Sequence, residues 1–191
     1  MARFSPFVLL PPALFAGLAA VFVWGTGREG AETLPSQLVG KPAPAVDLAP
    51  LGDTPLLTDA VLKAPGVKMV NFWGTWCVAC RAEHPTLLWM KDNLDVPLHG
   101  VNFDDKVPNA LKYLAEEGNP FATLGEARTA ATKIDWGVYG APETFIIDGN
   151  GVVVLRWAGP ITERVLKSDI LPAIEKAKAA APAAPASAPT N

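Results

Sequence analysis

Cysteine is scarce, and Cys77 and Cys80 are the only two in 191 residues. A network of disulfides stapling loops together is therefore excluded, and so is a four-cysteine zinc site. Lysine and arginine nowhere form a run able to neutralise a line of phosphates, and the formal net charge is -3, which makes nucleic acid a poor partner. His84 and His99, the two histidines, stand at no recognisable ligand spacing. Charge is missing altogether from Phe4 to Gly25. What is present is a thiol pair spaced C-x-x-C, 50% hydrophobic residues, and enough length for one domain with a sizeable core plus extra segments at its ends.

The uncharged run is mostly Phe, Val, Leu and Ala, and residues 1–25 are predicted to be a transmembrane anchor. Pro11 and Pro12 are predicted to kink it. A cleaved signal peptide is the alternative, with Arg3 as the positive start and Gly17 and Ala19 small enough for a peptidase. Arg3 before the span and Arg28 with Glu29 after it give too little bias to set the orientation. Residues 26–39, rich in Gly and polar side chains, read as a tether. At the other end, 177–191 is an Ala/Pro tract unable to bury enough apolar surface to order itself. The folded domain is predicted over 40–176.

Inside the domain, strand and helix signals alternate. Lys68 to Trp73 reads as a buried central strand, followed by a helix from Val78 to about Asn93 with Pro85 inside it. A second strand is predicted from Leu98 to Phe103 and a helix from Asn109 to Glu117, which implies a parallel pair with a right-handed crossover. Glu143 to Asp148 and Val152 to Trp157, joined by Gly149-Asn150-Gly151, read as a hairpin before a last helix, Thr162 to Lys176. The fold class expected is α/β, a central mixed sheet flanked by helices.

Cys77 falls at the start of the first of these helices, where unpaired N–H groups and the positive end of the macrodipole favour thiolate. Cys80 returns to the same face a turn later, close enough to attack a mixed disulfide on Cys77. Cys77 is thus the expected nucleophile and Cys80 the resolving thiol. An inert disulfide and a metal site remain open at this point, although two sulfurs do not fill a tetrahedral shell.

Phe72-Trp73-Gly74-Thr75-Trp76-Cys77-Val78-Ala79-Cys80-Arg81-Ala82-Glu83-His84-Pro85 resembles the active-site segment of membrane-anchored thioredoxin-like proteins. Gly137-Val138-Tyr139-Gly140-Ala141-Pro142-Glu143-Thr144-Phe145-Ile146-Ile147-Asp148-Gly149 is similar to the DsbE or CcmG subgroup, thiol/disulfide interchange proteins of cytochrome c maturation. Gly100-Val101-Asn102-Phe103 and Gly118-Asn119-Pro120-Phe121 resemble it as well. The resemblance implies a thioredoxin fold facing the periplasm from a bacterial inner membrane. It implies reduction of the haem-binding cysteines of apocytochrome c, with electrons from a membrane protein of DsbD or CcdA type and no cofactor besides the Cys77/Cys80 pair. Pro142 matches the family's cis-proline, lying against the cysteines and offering backbone to the substrate chain. Asn71 stands where ordinary thioredoxins carry a buried aspartate. Glu83 and Glu143 are acidic candidates expected near the pair, where a carboxylate raises a thiol's pKa and favours a reductant; a solvated helix position is the alternative for Glu83. Trp76 is expected on an exposed apolar rim, with Trp73 as core. The departure is Val78-Ala79 between the cysteines, where many relatives carry a proline.

Three rivals compete with this reading. They are a tethered reductase of the same fold serving copper-site proteins or general disulfides, a disulfide-introducing oxidase, and a copper-binding assembly factor using the Cys pair with a distant His. The oxidase would need a large helical insertion, for which the connection before Ala141-Pro142 leaves little room. His99, near a predicted strand, is poorly placed as a copper ligand.

Overall fold

The computed structural model describes residues 10–26 and 37–180. The first stretch is a helix, α1 (Leu10–Thr26), of 17 residues. Among the described residues no helix is long and apolar enough to cross a membrane. Of the predicted anchor, residues 1–25, residues 1–9 lie outside the described ones. Pro11 and Pro12 are the second and third described residues of α1, and the preceding turn that a kink there would bend lies outside the described residues.

The second stretch is an α/β domain. Its elements are β1 (Leu48–Ala49), α2 (Asp59–Lys63), β2 (Lys68–Trp73), α3 (Val78–Asn93), β3 (Leu98–Asn102), α4 (Val107–Glu117), β4 (Thr123–Ala127), α5 (Ala130–Asp135), β5 (Glu143–Ile147) and β6 (Val153–Ala158). A closing helix runs through α6 (Glu163–Val165), a π segment (Leu166–Ile170) and α7 (Leu171–Ala180). The sheet order is β1-β4-β3-β2-β5-β6. β2, β3 and β4 are parallel, and β1, β5 and β6 run antiparallel to their neighbours.

Every residue of β2 is buried, as expected of a strand covered on both faces. Its side chains alternate. Met69 and Trp73 join the core with Cys77, Cys80, Leu87 and Met90 of α3 and Ile170 and Ile174 of the closing helix. Val70 and Phe72 point the other way, into a core with Phe145, Ile147 and Trp136. This alternation decides which face each later polar residue serves.

Four elements lay outside the sequence reading: β1, α2, β4 and α5. β4 reads Thr-Leu-Gly-Glu-Ala, without β-branched or aromatic enrichment. Gly125 is required there, because a Cβ would stand 2.8 Å from Leu48 Cβ and 3.1 Å from Leu56 Cδ1. The C-terminal boundary also moves. The helix predicted to stop at Lys176 continues to Ala180, and Ala177, assigned to the tail by composition, is fully buried. Its spacing from Ile170 and Ile174 puts it on their face, and alanine is the best helix former. At the N-terminal boundary, Gly40 N–H donates to Val153 O (2.8 Å) and Ala43 N–H to Gly151 O (2.9 Å), fixing this stretch against β6.

Candidate active site

Chain reversal at the end of β2 brings Cys77 to the N-cap of α3 with extended backbone (φ -89°, ψ 108°). Its sulfur accepts the Cys80 N–H at 3.0 Å, occupying one of the donors that a helix start leaves unpaired. Cys77 and Cys80 form a disulfide with Cα atoms 5.3 Å apart. Both are nearly covered, 4% and 6% exposed, so a partner must press closely to reach the sulfurs. Among the described residues no group of three His, Cys, Asp or Glu could hold a metal ion.

Glu83, one turn beyond Cys80 on the same face, is 1% exposed, which removes the solvated reading. Its carboxylate accepts from Asn71 Nδ2 (3.0 Å) and from the backbone N–H of Ile161 (2.8 Å). Asn71 Nδ2 also donates to Thr144 Oγ1 at 3.0 Å. An uncharged amide thus fills the place under the cysteine helix, and Glu83 supplies the acid. Burial pushes the Glu83 carboxyl up to about 7, with the two hydrogen bonds opposing it. A buried acid half-ionised near neutral pH is poised to take and return protons.

Folding raises this pKa above its unfolded value of 4.5, so the neutral acid is the form that folding favours. The associated stability is complete below about 4.5 and is lost as pH rises through about 7. Between pH 5 and pH 8 the wild-type disulfide form is expected to lose roughly 2 to 3 kcal/mol from this group. Denaturant unfolding at both pH values checks it: Glu83→Gln, neutral throughout, is expected to shed that part of the slope.

The Ala141–Pro142 peptide bond is cis. Pro142 O accepts the Gly159 N–H (2.8 Å), joining the loop to the start of the closing segment. Glu143 comes next, and β5 alternation turns it away from Asn71 and Glu83. Thr144 meets Asn71 on one face, whereas Glu143, like Phe145, lies on the other. The Glu143 carboxylate holds Arg156 at 2.7 Å and accepts from Tyr139 N–H (3.1 Å) and Gly140 N–H (3.2 Å). Arg156 in turn donates to Gly137 O and lies 4.7 Å from the Tyr139 ring centroid. Glu83 thus sits on the Asn71 face of the sheet under α3, whereas Glu143 braces the Gly137–Pro142 loop from the other face.

Trp76 is 50% exposed, its indole N–H donating to Phe103 O at 3.2 Å and its ring edge-on to Phe103. Trp73 is buried and stacked on Phe121. A residue that the sequence reading passed over is Asp105. Its oxygens accept from Thr75 N–H (2.6 Å), Thr75 Oγ1 (2.7 Å), Asn102 Nδ2 (3.0 Å) and Lys106 N–H (2.7 Å). Partial burial pushes its carboxyl up, but these bonds outweigh it and hold the group below the ordinary aspartate value. The signal in the sequence was faint, a second Asp in Phe-Asp-Asp at a strand end. A cleft of about 460 Å³ between α3 and α4, lined in part by Thr75, Arg81, His84 and Tyr113, opens on this side.

A Redoxin family model matches residues 38–171, the whole of the sheet and the cysteine pair. The chain is 47% identical over 94% of its length to a thiol:disulfide interchange protein DsbE homolog of Paracoccus denitrificans, of which it covers 99%. It belongs to the DsbE family of thiol:disulfide interchange proteins. Similarity extends to the HelX protein of Rhodobacter capsulatus (40% identity, 88% of this chain and 95% of the relative) and to DsbE of Escherichia coli K12 (38%, 88% and 94%). Among solved structures, a thioredoxin-family thiol:disulfide interchange protein from Chlorobium tepidum superposes with a TM-score of 0.57 at 25% identity, covering 77% of this chain and 99% of that one. As a DsbE family member the chain is a thioredoxin-like thiol/disulfide oxidoreductase. Its Cys77–Cys80 disulfide is the group that such an enzyme must make and break.

Proposed function

We propose that this oxidoreductase is a reductant of the haem-binding cysteines of apocytochrome c, tethered to a bacterial inner membrane and facing the periplasm. The observation that carries the reducing direction is Glu83, a buried carboxyl one turn past Cys80 with an amide, Asn71, as its partner. A disulfide becomes a strong oxidant when its reduced thiolate is heavily stabilised, and a nearby carboxylate works against that. Tethering is supported by the uncharged run from Phe4 to Gly25, which takes in all of α1 but its last residue.

In the forward reaction the Cys77 thiolate attacks one sulfur of the client disulfide, forming a mixed disulfide and releasing one client thiolate. Cys80 then attacks the Cys77 sulfur, expels the second client thiolate and restores the Cys77–Cys80 bond. Two electrons and, after protonation, two hydrogens pass to the client, and Glu83 is the buried group able to take the proton that Cys80 gives up. A membrane dithiol donor of DsbD or CcdA type would return the enzyme to its reduced form. The test is mixing the reduced protein with an apocytochrome c whose C-x-x-C-H cysteines are oxidised. One equivalent of protein is expected to release one dithiol, read by alkylation and mass. A client disulfide left intact while a small aromatic disulfide is reduced would overturn this client.

A further inference from the structure

We infer that Asp105 is a positioning residue for Cys77, acting through Thr75. The inference rests on the exchange activity alone and not on which client is reduced. Three residues, Gly74 to Trp76, separate β2 from the nucleophile, and the geometry of that segment decides where the Cys77 sulfur points. The Cys77 N–H closes a turn on Gly74 O at 3.2 Å, and Trp76 is tied to Phe103 O. Asp105 takes hold of the residue between, through both its N–H and its hydroxyl.

The carboxylate itself is held fast. Each oxygen accepts two hydrogen bonds, Oδ1 from Thr75 Oγ1 and Lys106 N–H, and Oδ2 from Thr75 N–H and Asn102 Nδ2. Asn102 belongs to β3, so the carboxylate is referenced to the sheet. Asp104 just before it takes a left-handed conformation (φ 50°), turning the chain sharply at the end of β3, and is paired with Lys133. Four donors meeting one carboxylate leave no room for an amide: asparagine offers a single acceptor oxygen and would set its own N–H groups against donors.

The role separates from a mere charge effect. Removing a negative charge near Cys77 would lower its thiol pKa and raise reactivity at neutral pH. Loss of positioning instead lowers the rate of the thiolate itself, at the alkaline plateau of the pH–rate profile.

The test is the reduction of 5,5′-dithiobis(2-nitrobenzoate) by the reduced protein, followed from pH 5 to pH 10. Cys77 thiolate displaces one aromatic thiolate to give a mixed disulfide, and Cys80 displaces the second as the Cys77–Cys80 bond forms. Asp105→Asn is expected to lower the plateau rate about tenfold, a part of the roughly hundredfold that a full ångström of misplacement can cost. Thr75→Val, which keeps the backbone contact and removes the hydroxyl, is expected to show a smaller loss that Thr75→Ser restores. Rates are taken per folded molecule, from circular dichroism of the same samples. An unchanged plateau in both Asp105→Asn and Thr75→Val, or a faster neutral reaction with an unchanged plateau, would overturn the assignment.

Discussion

Replacing Cys77 with serine is expected to abolish disulfide exchange, whereas Cys80→Ser is expected to react once and stop. Cys77 occupies the N-cap of α3 and its sulfur receives a backbone N–H, so negative charge on that sulfur is stabilised by the helix start. Cys80 lies inside the first turn, further from the positive terminus and one turn before the buried Glu83. A serine hydroxyl is a far weaker nucleophile than a thiolate and the remaining Cys80 is only 6% exposed, so the Cys77→Ser rate is expected to fall by about a hundredfold or more. With Cys80→Ser the first attack proceeds, and the mixed disulfide persists for want of a resolving sulfur. Intact mass after mixing with an aromatic disulfide distinguishes the two: one covalent adduct on the reduced Cys80→Ser protein, and almost none on Cys77→Ser. Equal adduct yields would remove the assignment of Cys77 as nucleophile.

Glu143→Ala is expected to cost about 3 to 5 kcal/mol of unfolding free energy, the size seen when one partner of a buried ion pair is removed. The side chains of Arg156 and Glu143 are 6% and 2% exposed, and truncation would leave the guanidinium desolvated and without a counter-charge, held by Gly137 O and the Tyr139 ring. The N–H groups of Tyr139 and Gly140 would lose their acceptor as well. Replacing the pair together, Glu143→Leu with Arg156→Met, is expected to recover most of the loss, since no charge then remains buried alone. Denaturant unfolding of the two single variants and the double variant closes the cycle. A loss under about 1 kcal/mol for Glu143→Ala would mean that water reaches the site and the pair is not a structural brace.

The parts of this protein most legible in its sequence were those with strong local patterns. β2, β3 and the β5–β6 hairpin are short segments carrying apolar residues between turn residues, and α3 announces itself by the cysteine spacing and helical periodicity. β4 and α5 were not legible, because Gly125 is selected by the approach of Leu48 and Leu56 across the sheet, and six residues are too few to establish a helical period. The same division runs through the site. Cys77 and Cys80 followed from spacing, and the acidic pair Glu83 and Glu143 from a family pattern. Yet the faces those two acids occupy depend on strand alternation relative to α3, which no local window contains. Asp105 escaped because its function is spread over Thr75, Asn102 and the Lys106 backbone, brought together only by β2 and β3 lying side by side.

The central claim is that the Cys77/Cys80 pair reduces. The most direct measurement is its equilibrium potential in the domain beginning near Gly40, set against glutathione or dithiothreitol buffers with the disulfide fraction read by alkylation. A value near the thioredoxin end of the range, about -270 mV or modestly above it, is the result expected of a pair held beside a buried carboxyl. A value near -120 mV, the strongly oxidising end, would contradict the claim and make the protein a donor of disulfides.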